Sequence, residues 1–312
     1  MYKEIRVFAP ATVSNIGCGF DIMGFALEQP GDEVVLRVVE QDNVTISTIT
    51  GDGMRLPYDI SLNTASVPVI EIKKDFGITK GIEIEIHKKM AFGSGLGSSA
   101  ASAVAAAFAM NLLFDLKLTP LEVTPYAIKG EMIASGSLHA DNVAPSLFGG
   151  FTLIRGYDPL DIIKLDYPET LYCTIVHPHL EISTKMAREL LPKEIPLKNA
   201  VQQWGNCSGL VAGLLYKDFA LIGRSLHDVV AEPYRAGLIP DFYKIKQTAL
   251  DNGAVGCSIS GSGPSIFALS DGLERARNIA EAISNLLSKG DIGFDIYLSP
   301  VNKQGPKVLY IR

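Results

Sequence analysis

An α+β fold in two domains is what the chain predicts. The first half sets several strands ahead of its helices, and the second half mixes helices with strands that read as antiparallel. Neither half alternates strand and helix as a doubly wound sheet requires. Length adds a third observation, because 312 residues at about 150 per domain suit two cores better than one.

Taken in order, residues 5–7, 33–39 and 44–49 are rich in β-branched side chains and bounded by Gly, Pro and Asp, which predicts strands. A helix is expected over 62–76, ended by Gly77. Residues 82–86 alternate Ile and Glu strictly, the period of a half-buried strand. That strand runs through Gly93-Ser94-Gly95-Leu96-Gly97-Ser98-Ser99 into a long Ala-rich helix ending near Phe114. Thr119 and Pro120 form a cap and first-turn pair for a helix over 121–135, followed by a loop over 136–145. Strands are expected over 151–154 and 171–176. Between them Gly156, Asp158, Pro159 and Pro168 mark a boundary near residue 165, giving domains 1–165 and 166–312. Helices over 185–191, 200–216, 220–226 and 242–252 follow. A strand pair, 255–259 and 265–269, then surrounds a second Gly-rich turn, and a helix over 273–289 precedes closing strands at 294–298 and 308–311.

Composition excludes several classes. With 47% hydrophobic and 20% charged residues the chain is an ordinary folded one, neither disordered, collagen-like nor coiled-coil. The balance of 28 Lys+Arg against 34 Asp+Glu, net −6, gives no general attraction to phosphate backbones or anionic lipid, so nucleic acid and membrane are not expected partners. Cys18, Cys173, Cys207 and Cys257 are scattered without a C-x-x-C pair, and no export signal opens the chain, which predicts a reducing, cytoplasmic compartment. Residues 90–114 carry no charge, but Gly and Ser open the stretch and Ala dominates the rest, which suits a buried helix better than a membrane span.

Four clusters carry the candidate chemistry. A strand, glycine loop and helix start at Gly93–Ser99 make an anion site, because glycines let backbone amides approach a ligand and a helix start offers unpaired N–H groups. It is no P-loop, lacking the Lys, and no dinucleotide fingerprint, having Ser98 at the third glycine; alone it also fits a flexible turn beside a packed helix. The turn Ser260-Gly261-Ser262-Gly263-Pro264-Ser265 alone is a hairpin, and with the first loop suggests a cleft between domains. Asn15 and Asp21 lie within the small, apolar run 10–21, where they serve either turn amides or a ligand ammonium group. Glu131, on a helix, is either a solvated face or a holder of a divalent ion beside phosphates. Arg188 and Arg235 are candidate carboxylate clamps or surface ion pairs. His177-Pro178-His179 has no matching His or Cys cluster and is set aside as a metal site.

Residues 10–21, Gly93-Ser94-Gly95-Leu96-Gly97-Ser98-Ser99-Ala100-Ala101 and Ile259-Ser260-Gly261-Ser262-Gly263-Pro264-Ser265 resemble, in order, the three motifs of the GHMP small-molecule kinases. Within that family, Asn15-x-Gly-x-Gly-Phe-Asp21, His139-Ala140-Asp141-Asn142, Ser183-Thr184-Lys185-x-Ala187-Arg188 and Pro233-Tyr234-Arg235 resemble its homoserine-phosphorylating branch, over essentially the whole chain. The resemblance implies an S5-like N-terminal domain, a ferredoxin-like C-terminal domain, a homodimer, and ATP- and Mg²⁺-dependent phosphorylation of the side-chain hydroxyl of L-homoserine, a step toward threonine. It further implies that Ala91, Phe92 and the loop on to Ala101 cradle ATP, with Ser98 and Glu131 at Mg²⁺ and Asn63 near the base. Asn15 and Asp21 would hold the substrate ammonium, Arg188 and Arg235 its carboxylate, and Asn142, with His139 nearby, its hydroxyl. Asp141 stands where mevalonate-type relatives carry a catalytic carboxylate and is second choice to positioning as the source of rate. An ammonium and a carboxylate together need one anion and cations, as Asp21 and two arginines supply; mevalonate lacks the ammonium and galactose both. A mevalonate-type kinase and a nucleotide-binding sensor without turnover are the alternatives. Ala91 departs from the family's frequent proline, which bears on loop stiffness, and Cys18 from its usual residue between the glycines.

Overall fold

A computed structural model describes residues 2–312. The first sheet holds β1 (Glu4–Ser14), β2 (Met23–Val39), β3 (Val44–Thr50), β4 (Gly81–His87), β5 (Phe151–Tyr157), β6 (Leu160–Leu165) and β11 (Lys307–Ile311). Its order is β11-β1-β2-β4-β3, with β5 and β6 extending from β2. The second holds β7 (Leu171–Pro178), β8 (Gly256–Ile259), β9 (Ile266–Asp271) and β10 (Phe294–Pro300) in the order β10-β7-β9-β8. Only β3 and β4, joined through a helix, run parallel among the named strand pairs. This is the α+β class the sequence predicts.

On the first sheet lie α1 (Ser66–Asp75), α2 (Ser98–Leu113) and α4 (Val143–Phe148), with α3 (Pro120–Ser135) packed on these helices. The Ala-rich helix α2 is buried on every side, since Ala100, Ala101, Ala103, Ala105, Ala106 and Ala107 are all inaccessible; small side chains let it lie against β1 and β2 with α1, α3 and α4 around it. No helix among the described residues is long and apolar enough to cross a membrane. Helix α3 begins with a capping box, Thr119 and Glu122 each bonding the other's backbone N–H. The second half adds α5 (Thr184–Glu189), α6 (Leu197–Tyr216), α7 (Phe219–Ser225), α8 (Glu232–Arg235), α9 (Phe242–Asp251) and α10 (Leu273–Leu287). Ala276, Ile279 and Ile283 turn one face of α10 onto the second sheet.

Several elements differ from the sequence reading. The sequence predicts strands over 5–7 and 33–39, whereas β1 runs on to Ser14 and β2 begins at Met23 because Thr12, Val13 and Ser14 pair with Ala26, Phe25 and Gly24, and α8 lies where no element is predicted. Helix α1 starts at Ser66 because Asn63 and Ser66 bond the turn before it, Asn63 Oδ1 accepting from Ala65 N–H and Ser66 Oγ donating to Ile60 O. Asp158 and Pro159 form the turn of a β5–β6 hairpin, with Gly156 paired to Asp161 inside it, so β6 occupies residues expected to be boundary. Part of the expected loop 136–145 is the start of α4. Leu165 ends β6 in the first sheet and the second sheet begins at Leu171, yet β11 returns from the second half to pair with β1. The sheets share one core, in which Phe25 of β2 stacks on Phe151 at 4.7 Å and meets Phe267 of β9 edge-on at 6.2 Å. The cleft between the halves therefore has a packed floor.

Candidate active site

A cavity of about 310 Å³ opens where the helix starts of the first half face the loops of the second. One end is lined by Gly93, Ser94, Gly95, Gly97, Ser98, Ser99 and Glu131, the other by Asn15, Asp21, His139, Asp141, Asn142, Arg188 and Arg235. Phe92 and Thr64 also border it.

At the first end β4 leads into the glycine loop and α2 leads out. The cap residue Gly97 has φ +67° and no side chain to satisfy the first N–H groups of α2, which leaves them for an anion. Gly95, at φ +76°, approaches the second Gly-rich turn so closely that a Cβ would come within 2.6 Å of Gly263 O and Ser260 O. Ser260 Oγ donates to Gly95 O at 2.7 Å and Ser265 N–H to Ser94 O at 3.1 Å. The second Gly-rich motif thus braces the first, with Gly261 and Ser262 reaching the cavity wall.

Gly130 sets the depth of α3, since a Cβ there would lie 2.5 Å from Thr64 O and 2.9 Å from both Ala103 and Pro68 side-chain atoms. Its neighbour Glu131 is consequently 8% exposed, and its Oε2 has no hydrogen-bond partner. Burial pushes its carboxyl up to about 7, the Asp141 charge adding to this and a Ser99 hydrogen bond opposing it. A buried carboxylate with an unpartnered oxygen beside an anion site fits a divalent cation shared with phosphate oxygens. Among the described residues no group of three or more His, Cys, Asp or Glu side chains could hold a metal. His177 instead bonds Ser265, and His179 bonds Asp295.

Two residues at this end escaped the sequence reading. Asp32 of β2 is fully buried and takes N–H bonds from Lys89 and Met90, a hydroxyl bond from Ser98, and an ion pair with Lys88. A Gly-Asp in a turn-rich stretch and a Lys after an alternating strand look like ordinary surface residues; only the β2–β4 register brings them together.

At the other end the loop after β1 holds Asn15, Ile16 and Asp21 at φ +69°, +41° and +59°, strain that its bonds sustain. Asn15 Nδ2 donates to Gly261 O, and its Oδ1 accepts the Asp21 N–H, both at 3.0 Å. Asp21 receives a two-pronged bond from Arg188, Nη1 at 3.0 Å and Nη2 at 2.8 Å. Arg235, 3% exposed, donates to Ala187 O and Gly261 O. The two guanidinium carbons lie 5.4 and 5.3 Å from the centre of the Phe20 ring. Burial, then the charge of Arg188, lowers the Arg235 pKa, whereas the hydrogen bond to Asp21 raises that of Arg188. Burial also lowers the His139 pKa; its Nε2 pairs with Ser137 Oγ at 2.6 Å, and its Nδ1 lies 3.8 Å from Asp21.

Asn142 sits between the two ends. Its Oδ1 accepts from Thr12 Oγ1 at 2.7 Å and its Nδ2 donates to Ser14 Oγ at 3.0 Å, leaving one N–H uncommitted. Adjacent Asp141 is buried, and desolvation, reinforced by Asp21, pushes its carboxyl up to about 7. Asn63 is not on the wall: its amide is taken by Pro57 O and Ala65 N–H. Nor are Ala91, Leu96, Ala100 and Ala101, the last three packing in the core beneath the loop.

Comparison with known proteins bears on this arrangement. The family description "GHMP kinases N terminal domain" matches residues 63–150, and "GHMP kinases C terminal" matches 210–289. A homoserine kinase of Chloroherpeton thalassium is 51% identical over 98% of this chain and 100% of its own length; one of Chlorobium phaeovibrioides is 50% identical over 98% and 100%. The crystal structure of homoserine kinase from Cytophaga hutchinsonii superposes with a TM-score of 0.96, at 56% identity over 99% of this chain and 98% of that one.

Proposed function

The chain belongs to the homoserine kinases of the GHMP kinase family, and from that premise we propose how its residues carry out ATP-dependent phosphorylation of the side-chain hydroxyl of L-homoserine. The observation that carries the reading is the pairing, in one cavity, of an anion-binding helix start with an Asp and two Arg at the opposite end. A zwitterionic amino acid matches the second end, and a triphosphate the first. This favours homoserine over mevalonate, which has no ammonium group for Asp21, and over a sensor without turnover.

In the cleft Arg188 donates both Nη groups to Asp21. A zwitterion exchanges that ion pair for two, its ammonium taking Asp21 and its carboxylate Arg188 and Arg235, so the charges need not be exposed unpaired at any stage. Asn15 supports Asp21 through the backbone. The uncommitted N–H of Asn142, with His139 nearby as a neutral ring, orients the hydroxyl toward the γ-phosphorus. In transfer, a bond forms from that oxygen to phosphorus, the bond to the ADP oxygen breaks, and the hydroxyl proton passes to the ionised Asp141 carboxyl, which returns it to water. Positioning and charge stabilisation supply most of the rate.

Mg²⁺ is part of this proposal, held by Ser98 and Glu131; the chemistry it supplies when bound is neutralisation of charge on the phosphate oxygens. ATP would lie along Phe92 and Gly93–Ser99. A cytoplasmic setting is supported by four free thiols, and a homodimer by the exposed Leu197, Val201 and Trp204 on one face of α6. The division at residue 165 into two domains is likewise proposed.

The test of substrate is ADP release from Mg·ATP with L-homoserine, L-threonine, mevalonate, phosphomevalonate and galactose. Turnover with homoserine is expected; turnover confined to another compound would overturn the amino-acid pocket. A second test concerns the proton. Because the Asp141 carboxyl titrates at about 7, it is protonated and unable to accept a proton at pH 6, and ionised at pH 8. The rate at saturating substrates should therefore climb through pH 7 and level off; because burial pushes the Glu131 carboxyl up to about 7 as well and its ionised form would hold the cation, Asp141→Asn should lower the plateau and leave only the Glu131 part of the limb. An Asp141→Asn enzyme with the full wild-type rate and profile would remove Asp141 from the proton path.

A further inference from the structure

We infer that Asp32 is a positioning residue which fixes the direction of the Ser98 hydroxyl, so that Ser98 offers only lone pairs to the cation accompanying the nucleotide; this rests on the reading of Ser98 as a cation ligand. The geometry is closed on all sides. Asp32 Oδ1 accepts the N–H groups of Lys89 at 2.7 Å and Met90 at 3.3 Å, and Oδ2 accepts Ser98 Oγ–H at 2.7 Å together with the Lys88 ammonium. The remaining Lys88 protons go to Ser98 O at 2.8 Å and Ser102 Oγ at 2.7 Å. Lys88 therefore has no proton left for a phosphate, although its side chain borders the cavity.

A serine hydroxyl has one proton and two lone pairs. Donated to a buried carboxylate, that proton makes a charge-assisted bond and points away from the cleft. Both lone pairs are then left for the side from which a cation would approach. A hydroxyl free to rotate would spend part of its time presenting its proton to that cation or donating to a phosphate oxygen. An apolar pair in place of Asp32 and Lys88 would serve stability equally well as a rule; it would not hold the Ser98 proton inward.

The two oxygens of Asp32 make the idea testable by a nearly isosteric change. In Asp32→Asn the amide oxygen is held at the Oδ1 position by two backbone N–H groups, which forces the NH₂ toward Ser98. The hydrogen bond reverses: the amide donates, and the serine proton turns to the cleft. Asp32→Asn alone leaves the Lys88 ammonium facing an amide NH₂ and risks misfolding, so the companion variant is Asp32→Asn/Lys88→Gln, whose buried pair is neutral and can bond internally.

The experiment is calorimetric binding of a non-hydrolysable ATP analogue with and without Mg²⁺ to the wild type, Asp32→Asn/Lys88→Gln, Ser98→Ala and the triple variant, each checked for a wild-type melting profile. Expected is metal-free affinity within about twofold of wild type, a gain in affinity from Mg²⁺ reduced about tenfold or more in both Asp32→Asn/Lys88→Gln and Ser98→Ala, and no further loss in the triple variant. Equal weakening with and without metal would make Asp32 a scaffold of the loop and overturn the inference. So would an undiminished Mg²⁺ gain in Asp32→Asn/Lys88→Gln beside a lost one in Ser98→Ala. An undiminished gain in Ser98→Ala itself would instead refute Ser98 as the ligand, and the role of Asp32 with it.

Discussion

Arg235→Ala should raise the KM for homoserine about 10²- to 10³-fold, the cost of leaving a carboxylate short of a buried charged partner, while ATP binding stays near wild type. Its guanidinium is 3% exposed and its Nε and Nη1 are fixed by Ala187 O and Gly261 O, so it arrives in the cleft already oriented. Phe20 lies against both arginines and offsets part of their mutual repulsion. Steady-state kinetics with homoserine varied at saturating ATP checks the expectation, and an unchanged KM would sink the carboxylate assignment. Because the same side chain ties α5 to the second Gly-rich turn, Arg235→Lys is the control: it keeps the charge and loses the fork, so its KM should lie between the two.

Glu131→Gln should lower kcat about 10²- to 10³-fold with homoserine KM little altered, since charge stabilisation of a transferring phosphoryl group is lost rather than substrate binding. The change is isosteric and removes a carboxyl that burial already pushes up to about 7, so the variant protein should fold at least as well as the parent. Turnover measured across a Mg²⁺ series decides the matter: wild-type rates at every concentration would refute a metal role for Glu131.

Local signals made the order of elements legible. The Ile-Glu alternation of β4, the Thr119–Glu122 cap and the Ala-rich run of α2 all state their structure within a few residues. What escaped lay either in turn-rich segments or with partners far along the chain. Helix α4 and strand β6 lie in segments rich in Gly and Pro, where turn chemistry outweighs periodicity. In the site, the glycine loop and Asp21 stand out locally, as a Gly-rich turn and an acid in an apolar run; Glu131 and both arginines are ordinary helix-face and ion-pair residues by local signal, and their site roles are what the family resemblance implies. Asp32 and Lys88 were not, since a charge becomes conspicuous only once buried, and their burial depends on β2 meeting β4. Asn63, which the resemblance places near the base, bonds the turn that starts α1 through its amide, an arrangement equally invisible in the sequence. The direct Asp21–Arg188 bond was equally hidden, because 167 residues separate the pair.

The pairing of β11 with β1 also has a consequence for how the protein is made. Synthesis delivers β1, β2, β4 and the glycine loop early, but one edge of β1 has no partner until residues 307–311 have emerged from the ribosome. Throughout elongation that edge is an open template for pairing with another nascent chain. The backbone bonds from Lys3 and Glu4 to Arg312 O, together with the register Ile5↔Ile311, close it. A chain without residues 307–311 would thus have every ligand-facing residue in place and one seam of its sheet unsealed.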